Sequence, residues 1–329
     1  MKQKEMRAVY ARTLIALAEE DMRIVLLEAD LMKASGTRAF GERFPERTFQ
    51  MGVAEANMVG VAAGLSATGK IAFADTFACF AARRAYDQFF ISAGYARQTV
   101  KLTGTDPGIA AAYNGGTHMS FEDVGLMRNI PHAVVFEPGD PVSLRQLVIC
   151  NARTPGCAYM RLFRQPANVL YDENESFELG RGKVLADGTD LALIASGVIP
   201  LNEALAARTL LGRDGLSAAV VDMHTVKPLD VELVLQYARK TGLLVTCENH
   251  QITNGLGSAV AETLAEHAPG VRLKRIGIRD EFGEVGTLDY LKARFGLTAQ
   301  HIAAQAAKEL SRNKLSIYGS VFRIPSARK

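Results

Sequence analysis

The sequence predicts an α/β protein of two doubly wound domains, each a mostly parallel sheet flanked by helices. Three observations predict it. Short apolar runs alternate with helix-period stretches from residue 4 to about residue 310, the texture of parallel sheets covered by helices. That alternation is interrupted once, between Gln165 and Phe177. The chain has 329 residues, too long for one ordinary core and suited to two of roughly 150.

In the first series the candidate strands are Ile24 to Glu28, Ile71 to Ala74, Val100 to Thr103, Ala133 to Glu137 and Ala158 to Arg161. Each is a short aliphatic run without polar alternation, as expected of strands buried on both faces. Helix-period stretches near 5–20, 54–67, 78–94, 120–129 and 140–152 separate them. Pro166, Asn168, Asp172, Asn174 and Ser176 then give linker composition. The expected organisation is a first domain over 1–165, a linker over 166–178 and a second domain over 179–310. In that second domain, strands near Leu191 to Ala195, Ala218 to Asp222, Leu243 to Cys247 and Arg272 to Ile276 alternate with helices near 200–212, 230–240, 256–267 and 298–310. Residues 311–329 are basic and lack a clear period, so they read as a tail that lies on a partner or remains mobile.

Composition excludes several function classes. Lys and Arg number 38 against 35 Asp and Glu, and a net charge of +3 without a dense basic stripe argues against nucleic acid. No run of about 18 apolar residues is present, which argues against a membrane span. Met1 to Arg12 is charged and lacks the apolar segment of a signal peptide, so the expectation is a cytosolic protein. Cys79, Cys150, Cys157 and Cys247 form no C-x-x-C pair and have no matching His spacing, so they read as buried free thiols rather than metal ligands.

Three segments concentrate chemistry. Phe49-Gln-Met-Gly-Val-Ala-Glu55-Ala-Asn-Met-Val-Gly60-Val-Ala-Ala-Gly64 sets one carboxylate among small and apolar residues at a helix start. A carboxyl in such surroundings resists ionisation and can stay protonated as a hydrogen-bond donor, while the helix N-terminus opposes that effect. The simpler reading is a first-turn Glu that complements the dipole in water. Gly60 and Gly64 share a helix face and would let another backbone approach closely. Phe77 and Phe80, three apart, share a face and either stack on a flat ring or fill the core. Tyr113-Asn114-Gly115-Gly116-Thr117-His118 is a glycine-containing loop ending in a histidine, in the position where loops face ligands.

Taken in order, these segments resemble the transketolase family across residues 5 to 310. The carriers are Glu28-Ala-Asp30-Leu31, the helix opened by Gly52-Val-Ala-Glu55, Thr76-Phe77-Ala-Cys-Phe80, the Thr117-His118 loop, Leu126-Met-Arg-Asn-Ile-Pro131 and Glu137-Pro-Gly-Asp140. The resemblance implies thiamine diphosphate as cofactor. Glu55 would hydrogen-bond N1′ of its aminopyrimidine, Phe77 and Phe80 would pack on that ring, and Asp30 would belong to the cofactor site. His118 would act on substrate oxygens, and Arg164 would bind a substrate phosphate through its paired donors. Ser35 and Lys33 stand where the family contacts phosphate. Arg161 either supports the sheet edge or joins the site.

Asn114 departs from the family's usual Asp and Met119 from a common Gln, which puts the usual substrate stereochemistry in question. The family's Gly-Asp-Gly segment with its downstream Asn-Asn pair, which holds Mg²⁺ and diphosphate, does not occur in this sequence. The resemblance therefore implies the β subunit of a split transketolase, moving a two-carbon ketol unit from a ketose, a phosphate ester, to an aldose. Mg²⁺ would sit mainly on an α subunit, this chain would hold no metal of its own, and two copies would form the core of an α2β2 assembly. His224-Thr-Val-Lys227-Pro and Glu248-Asn-His250-Gln-Ile-Thr-Asn-Gly255 resemble the family's C-terminal domain, read as mainly structural. The alternatives are the β subunit of a 2-oxo-acid dehydrogenase, and a deoxyxylulose-phosphate-synthase-like fragment, which Arg84-Ala-Tyr86-Asp87-Gln88 resembles.

Overall fold

The continuous apolar runs form the centres of two sheets. The computed structural model describes residues 2–321, with side chains described to residue 311. In the larger sheet seven strands lie in the order Thr225–Lys227, Val134–Phe136, Ala158–Leu162, Val100–Thr105, Ile71–Phe77, Ile24–Glu28, Thr48–Gln50. All pair in parallel except Thr225–Lys227, which runs antiparallel to Val134–Phe136. The smaller sheet has the order Arg272–Ile278, Leu243–Gln251, Leu191–Ser196, Ala218–Asp222, Lys183–Ala186, with only the last antiparallel. Leu26, Leu102, Leu193 and Val245 are fully buried in these strands. Each contributes roughly 1.5–3 kcal/mol through the apolar surface it removes from water. The strands of one parallel sheet end at a common edge, and that edge positions the site.

The described fold thus has the two-domain α/β architecture expected, and its differences from the expected elements have local causes. The expected helix over 78–94 is divided into Ala78–Arg83, Tyr86–Gln88 and a wider coil over Phe89–Tyr95. Ala85 leaves the helical region at φ −115°, ψ 7°. Beyond it, backbone bonds such as Ala96 N–H to Ile91 at 3.1 Å skip one residue more than an α-helix does. The expected linker is not free at its start. Pro166–Asn168 pairs antiparallel with Gln3–Glu5 as a two-stranded ribbon, and Leu170 and Tyr171 donate backbone N–H groups to the Asp140 carboxylate at 2.9 and 3.3 Å. Proline tolerates such an edge because its missing N–H costs no ladder bond there. The stretch read as a tail begins inside a helix, Ala299–Val321, and residues 322–329 lie outside the described residues.

The two halves are interlocked. Thr225–Lys227, from the second half, forms an edge of the first half's sheet, and Lys227 Nζ donates to the carbonyls of Arg128 and Ile130 at 2.7 and 2.5 Å. Arg161 sits at the same border, 1% exposed. It donates to Asp123 at 2.9 Å, to Glu137 at 2.7 Å and to the Asn249 carbonyl at 2.9 Å. A charged group this deep is stable only when paired and hydrogen-bonded. Its role is therefore structural, which resolves the two readings left open for it. Among the described residues no helix is long and apolar enough to cross a membrane.

Candidate active site

Glu55 opens the helix Glu55–Ala67 and is 3% exposed. Its first-turn position sets the carboxylate on the positive end of the helix dipole. Thr76 Oγ1 donates to it at 3.3 Å, and Arg84 Nη1 reaches its two oxygens at 3.2 and 3.3 Å. It is thus neither a solvated surface acid nor an isolated buried one. Sequence reasoning missed Arg84 as a site residue; it stands 29 positions from its partner, and only the local resemblance of its segment drew attention to it.

Phe77 ends the strand Ile71–Phe77 and Phe80 lies on the short helix that follows, with ring centroids 5.9 Å apart. Both are only partly buried, so their faces are not consumed by the core. His118 stands edge-on to them at 5.3 Å from Phe80 and 6.1 Å from Phe77. The Arg84 guanidinium lies 3.8 Å above the Phe80 ring and that of Arg164 5.2 Å from the Phe77 ring. The result is a row of cation, ring, imidazole, ring and cation beside one buried acid. Such partly exposed aromatic faces can take a flat heterocycle, and the acid can meet a ring nitrogen at its edge. The residues therefore fit an aminopyrimidine.

Arg164 donates to Asp106, and its buried Nε has no hydrogen-bond partner among the described residues. Burial pushes the Asp106 carboxyl up, while Arg164 and, more weakly, Arg7 pull it down. Arg7 pairs with Glu5 at 2.7 Å and donates to the Ala34 carbonyl at 3.3 Å, while its backbone N–H donates to the Arg164 carbonyl at 3.3 Å and its charge acts on Asp106. The sequence held no local signal for Arg7. Lys33 is exposed on the adjoining turn Met32–Ser35.

Ser35 requires correction as a substrate contact. It is 1% exposed and donates to Glu28 at 2.6 Å, and Thr37 donates to the same oxygen. Glu28 and Asp75 are neighbours across adjacent strands, and Tyr10 OH donates to Asp75 at 2.9 Å. Burial without a cation raises both acids, Glu28 to about 7, and hydroxyl donors meet one oxygen of each while Glu28 Oε2 and Asp75 Oδ2 have no partner among the described residues. Asp30 is exposed just beyond Glu28, at φ 63°. Asn114 is exposed at the end of the turn Gly108–Asn114, in which Ala112 takes φ 46°, ψ −112°.

Arg83 braces the His118 loop. It donates to Glu122 at 2.5 Å and to the carbonyls of Thr117 and Met119 at 3.2 and 2.8 Å. A cleft of about 740 Å³ opens beside this loop, closed on the far side by Asp280 to Val285 from the second domain. Cys79 is wholly buried between the two phenylalanines, its thiol pushed up to about 12 by burial, and is an inert packing residue.

The fold and this site define a two-domain protein with a pyrimidine-binding domain: residues 2–168 match the transketolase pyrimidine binding domain, and residues 180–302 the transketolase C-terminal domain. The chain belongs to the transketolase family, with the two domains of its C-terminal section. It is 49% identical to the 6-deoxy-6-sulfo-D-fructose transketolase subunit SqwH of Clostridium sp. strain MSTE9, across 94% of this chain and 95% of that one. It is 39% identical to a 1-deoxy-D-xylulose-5-phosphate synthase of Syntrophotalea carbinolica, across 90% of this chain but 46% of that enzyme. A solved split-gene transketolase, described as an inactive β4 tetramer, superposes with a TM-score of 0.85 at 41% identity, covering 93% of this chain and 98% of that one.

Proposed function

We propose that this chain is the β subunit of a split transketolase, completing its site with an α subunit that supplies the Mg²⁺ and diphosphate ligands. The observation that carries the reading is Glu55, buried at a helix start and joined through Thr76 and Arg84 to the partly exposed Phe77 and Phe80. When bound, thiamine diphosphate supplies the carbon nucleophile that takes up a two-carbon ketol unit and passes it to an aldose.

The residues of this chain do the rest. Glu55 would hydrogen-bond the pyrimidine N1′ of the bound cofactor, and the two phenylalanines would pack on its ring. His118, edge-on to both rings and half-exposed, hydrogen-bonds the sugar oxygens as they gain and lose protons. Asn114 reads a hydroxyl with a mixed donor and acceptor, and Asp30 borders the cofactor. Arg164, with its unpartnered Nε, and the nearby Arg7 receive the anionic end of the donor ketose. That end is a sulfonate in the substrate named for the Clostridium relative, so 6-deoxy-6-sulfo-D-fructose is the first donor to test, with a ketose phosphate beside it.

Two copies meet along the helix Glu55–Ala67, whose exposed Gly60 and Gly64 have nothing within 4 Å of an added Cβ. The β4 tetramer formed by the 41% identical relative supports self-association of such chains. The first domain over 1–165, the linker to 178 and the second domain to 310 remain the proposed units.

The test is reconstitution with the α subunit, thiamine diphosphate and Mg²⁺. Ketol transfer is expected, and Glu55→Ala should lower it at least a hundredfold. Turnover within about tenfold of wild type, about 1.4 kcal/mol, overturns the role of Glu55. The synthase reading keeps one observation, the Arg84-Ala-Tyr86-Asp87-Gln88 segment whose arginine reaches Glu55. Decarboxylation of a 2-oxo acid by the reconstituted pair, in place of ketol transfer, would favour that class of reaction.

A further inference from the structure

The loop that carries Asn114 and His118 belongs to the first domain, yet both of its feet are gripped by the second. At the first foot the Asn249 side chain donates through Nδ2 to the Pro107 carbonyl at 2.9 Å and accepts the Ile109 N–H through Oδ1 at 2.9 Å. At the second foot Gln251 N–H donates to the Phe121 carbonyl at 2.9 Å, and Gly125 N–H to His250 Nε2 at 3.3 Å. All these gripping residues stand at the end of one strand, Leu243–Gln251.

The first grip is specific to an amide. Only Asn among side chains of this length offers one donor and one acceptor in a plane, matching a carbonyl and an N–H two residues apart. The backbone beneath it is adapted to that side chain. Gly108 takes φ 56°, and a Cβ there would collide with the Asn249 amide. Asn249 is 1% exposed, and its own carbonyl accepts from Arg161, which Asp123 and Glu137 hold in turn. Between the feet the loop is strained. Ala112 at φ 46° is a non-glycine residue in the left-handed half of backbone space, as is Asp106 at φ 51° just before the first foot, and such geometry persists only where its surroundings enforce it.

We propose that Asn249 is a positioning residue for the reaction: it sets the loop from Pro107 to His118 so that Asn114 and His118 meet the sugar, without touching the sugar itself. In this proposal, which rests on the ketol-transfer reading for its kinetic part, the second domain enforces the geometry of the first domain's catalytic loop. The Glu55, Phe77 and Phe80 side of the site lies on other elements, is not touched by Asn249, and meets the loop through His118 and Arg83.

The experiment uses the full chain reconstituted with the α subunit, thiamine diphosphate and Mg²⁺, with the donor ketose of the reconstitution above. Asn249→Ala is expected to lower kcat/KM for the ketose thirtyfold or more, to leave the thiamine diphosphate Kd within threefold, and to speed amide exchange over residues 107–119 while the helix Glu55–Ala67 keeps its protection. In Asn249→Asp, a protonated acid regains one donor and one acceptor. Its kcat/KM, relative to wild type at each pH, should therefore rise as pH falls from 8 toward 5, in steps of about tenfold at most per pH unit. Unchanged exchange at Ile109 in Asn249→Ala overturns the proposal, as does a kcat/KM within threefold of wild type, or a cofactor affinity that falls in parallel with kcat/KM. Absence of ketol transfer in the wild-type pair would sink the functional reading alone, and the exchange measurement would then decide the positioning role.

Discussion

Arg84 lies 3.2 Å from Glu55, although its side chain is almost half exposed and the acid it pairs with is buried. The guanidinium also stacks on Phe80, so it covers both the acid and one of the rings. A ring nitrogen that claims Glu55 must displace this arginine or share the carboxylate with it. An ion pair with one partner this exposed is worth about 1 kcal/mol or less. Arg84→Ala should then bind thiamine diphosphate in the reconstituted pair as tightly as wild type, or up to about fivefold tighter, by titration calorimetry. A tenfold weaker complex would instead make Arg84 a cofactor ligand.

Glu28 gives the protein a pH dependence of defined sign. Burial raises this carboxyl from its ordinary 4.5 to about 7, against the lowering effect of the Ser35 and Thr37 hydroxyls. A raised acid binds its proton more tightly when folded. Its contribution is therefore fully present below about 4.5 and is lost as pH rises toward and through about 7. Glu28→Gln keeps an acceptor for both hydroxyls and has no proton to lose. Its stability relative to wild type should rise across that window by up to roughly 3 kcal/mol and then level off. Parallel pH curves in urea unfolding would show that Glu28 does not titrate there.

Arg161→Met should cost about 3–5 kcal/mol, because it leaves Asp123 and Glu137 buried without their cation. The loss would be read as a lower urea midpoint of the full chain. The triple variant Arg161→Met, Asp123→Asn, Glu137→Gln should recover at least half of it, since no uncompensated charge then remains. A single variant within about 1 kcal/mol of wild type would mean that the network is hydrated and not a border clasp.

Gly64→Leu separates the chain's own stability from its assembly. The position is exposed and nothing lies within 4 Å of an added Cβ, so the folded chain should gain up to about 1 kcal/mol from replacing a helical glycine. With the self-association proposed on this face, the same side chain should shift sedimentation toward the monomer, because it would occupy the surface offered to a second helix. An unchanged sedimentation profile would place the contact elsewhere.

Central strands were legible because a strand buried on both faces is written as an unbroken aliphatic run. Ile24–Glu28 and Ala218–Asp222 stand where that reading sets them, the strand expected over Ala133 to Glu137 shortened to Val134–Phe136, and the others gained one to four residues at an end. Gln3–Glu5, Thr48–Gln50, Lys183–Ala186 and Thr225–Lys227 were not legible. They are three or four residues long, lie at edges and carry at most three apolar residues in a row, so only their pairing defines them. The site divided in the same way. The segments of Glu55, Phe77, Phe80 and His118 carry local patterns, and the fold brings those residues together. Arg84, Arg83, Arg7 and Asn249 act across long separations, and a guanidinium or amide looks the same in sequence whether it faces solvent or clasps a loop. Ser35 failed for the converse reason, since its hydroxyl is spent on a buried acid that no local pattern places beneath it.

The strand Thr225–Lys227 closes the border of a sheet to which its own half of the chain does not otherwise belong. A protease cut between residues 172 and 180 should therefore leave two fragments that remain together, and neither expressed alone would have a complete set of sheet edges. Partners can be gained or lost at the outer faces of such a molecule. Its second half, however, is not a cassette that can be exchanged without rebuilding the first.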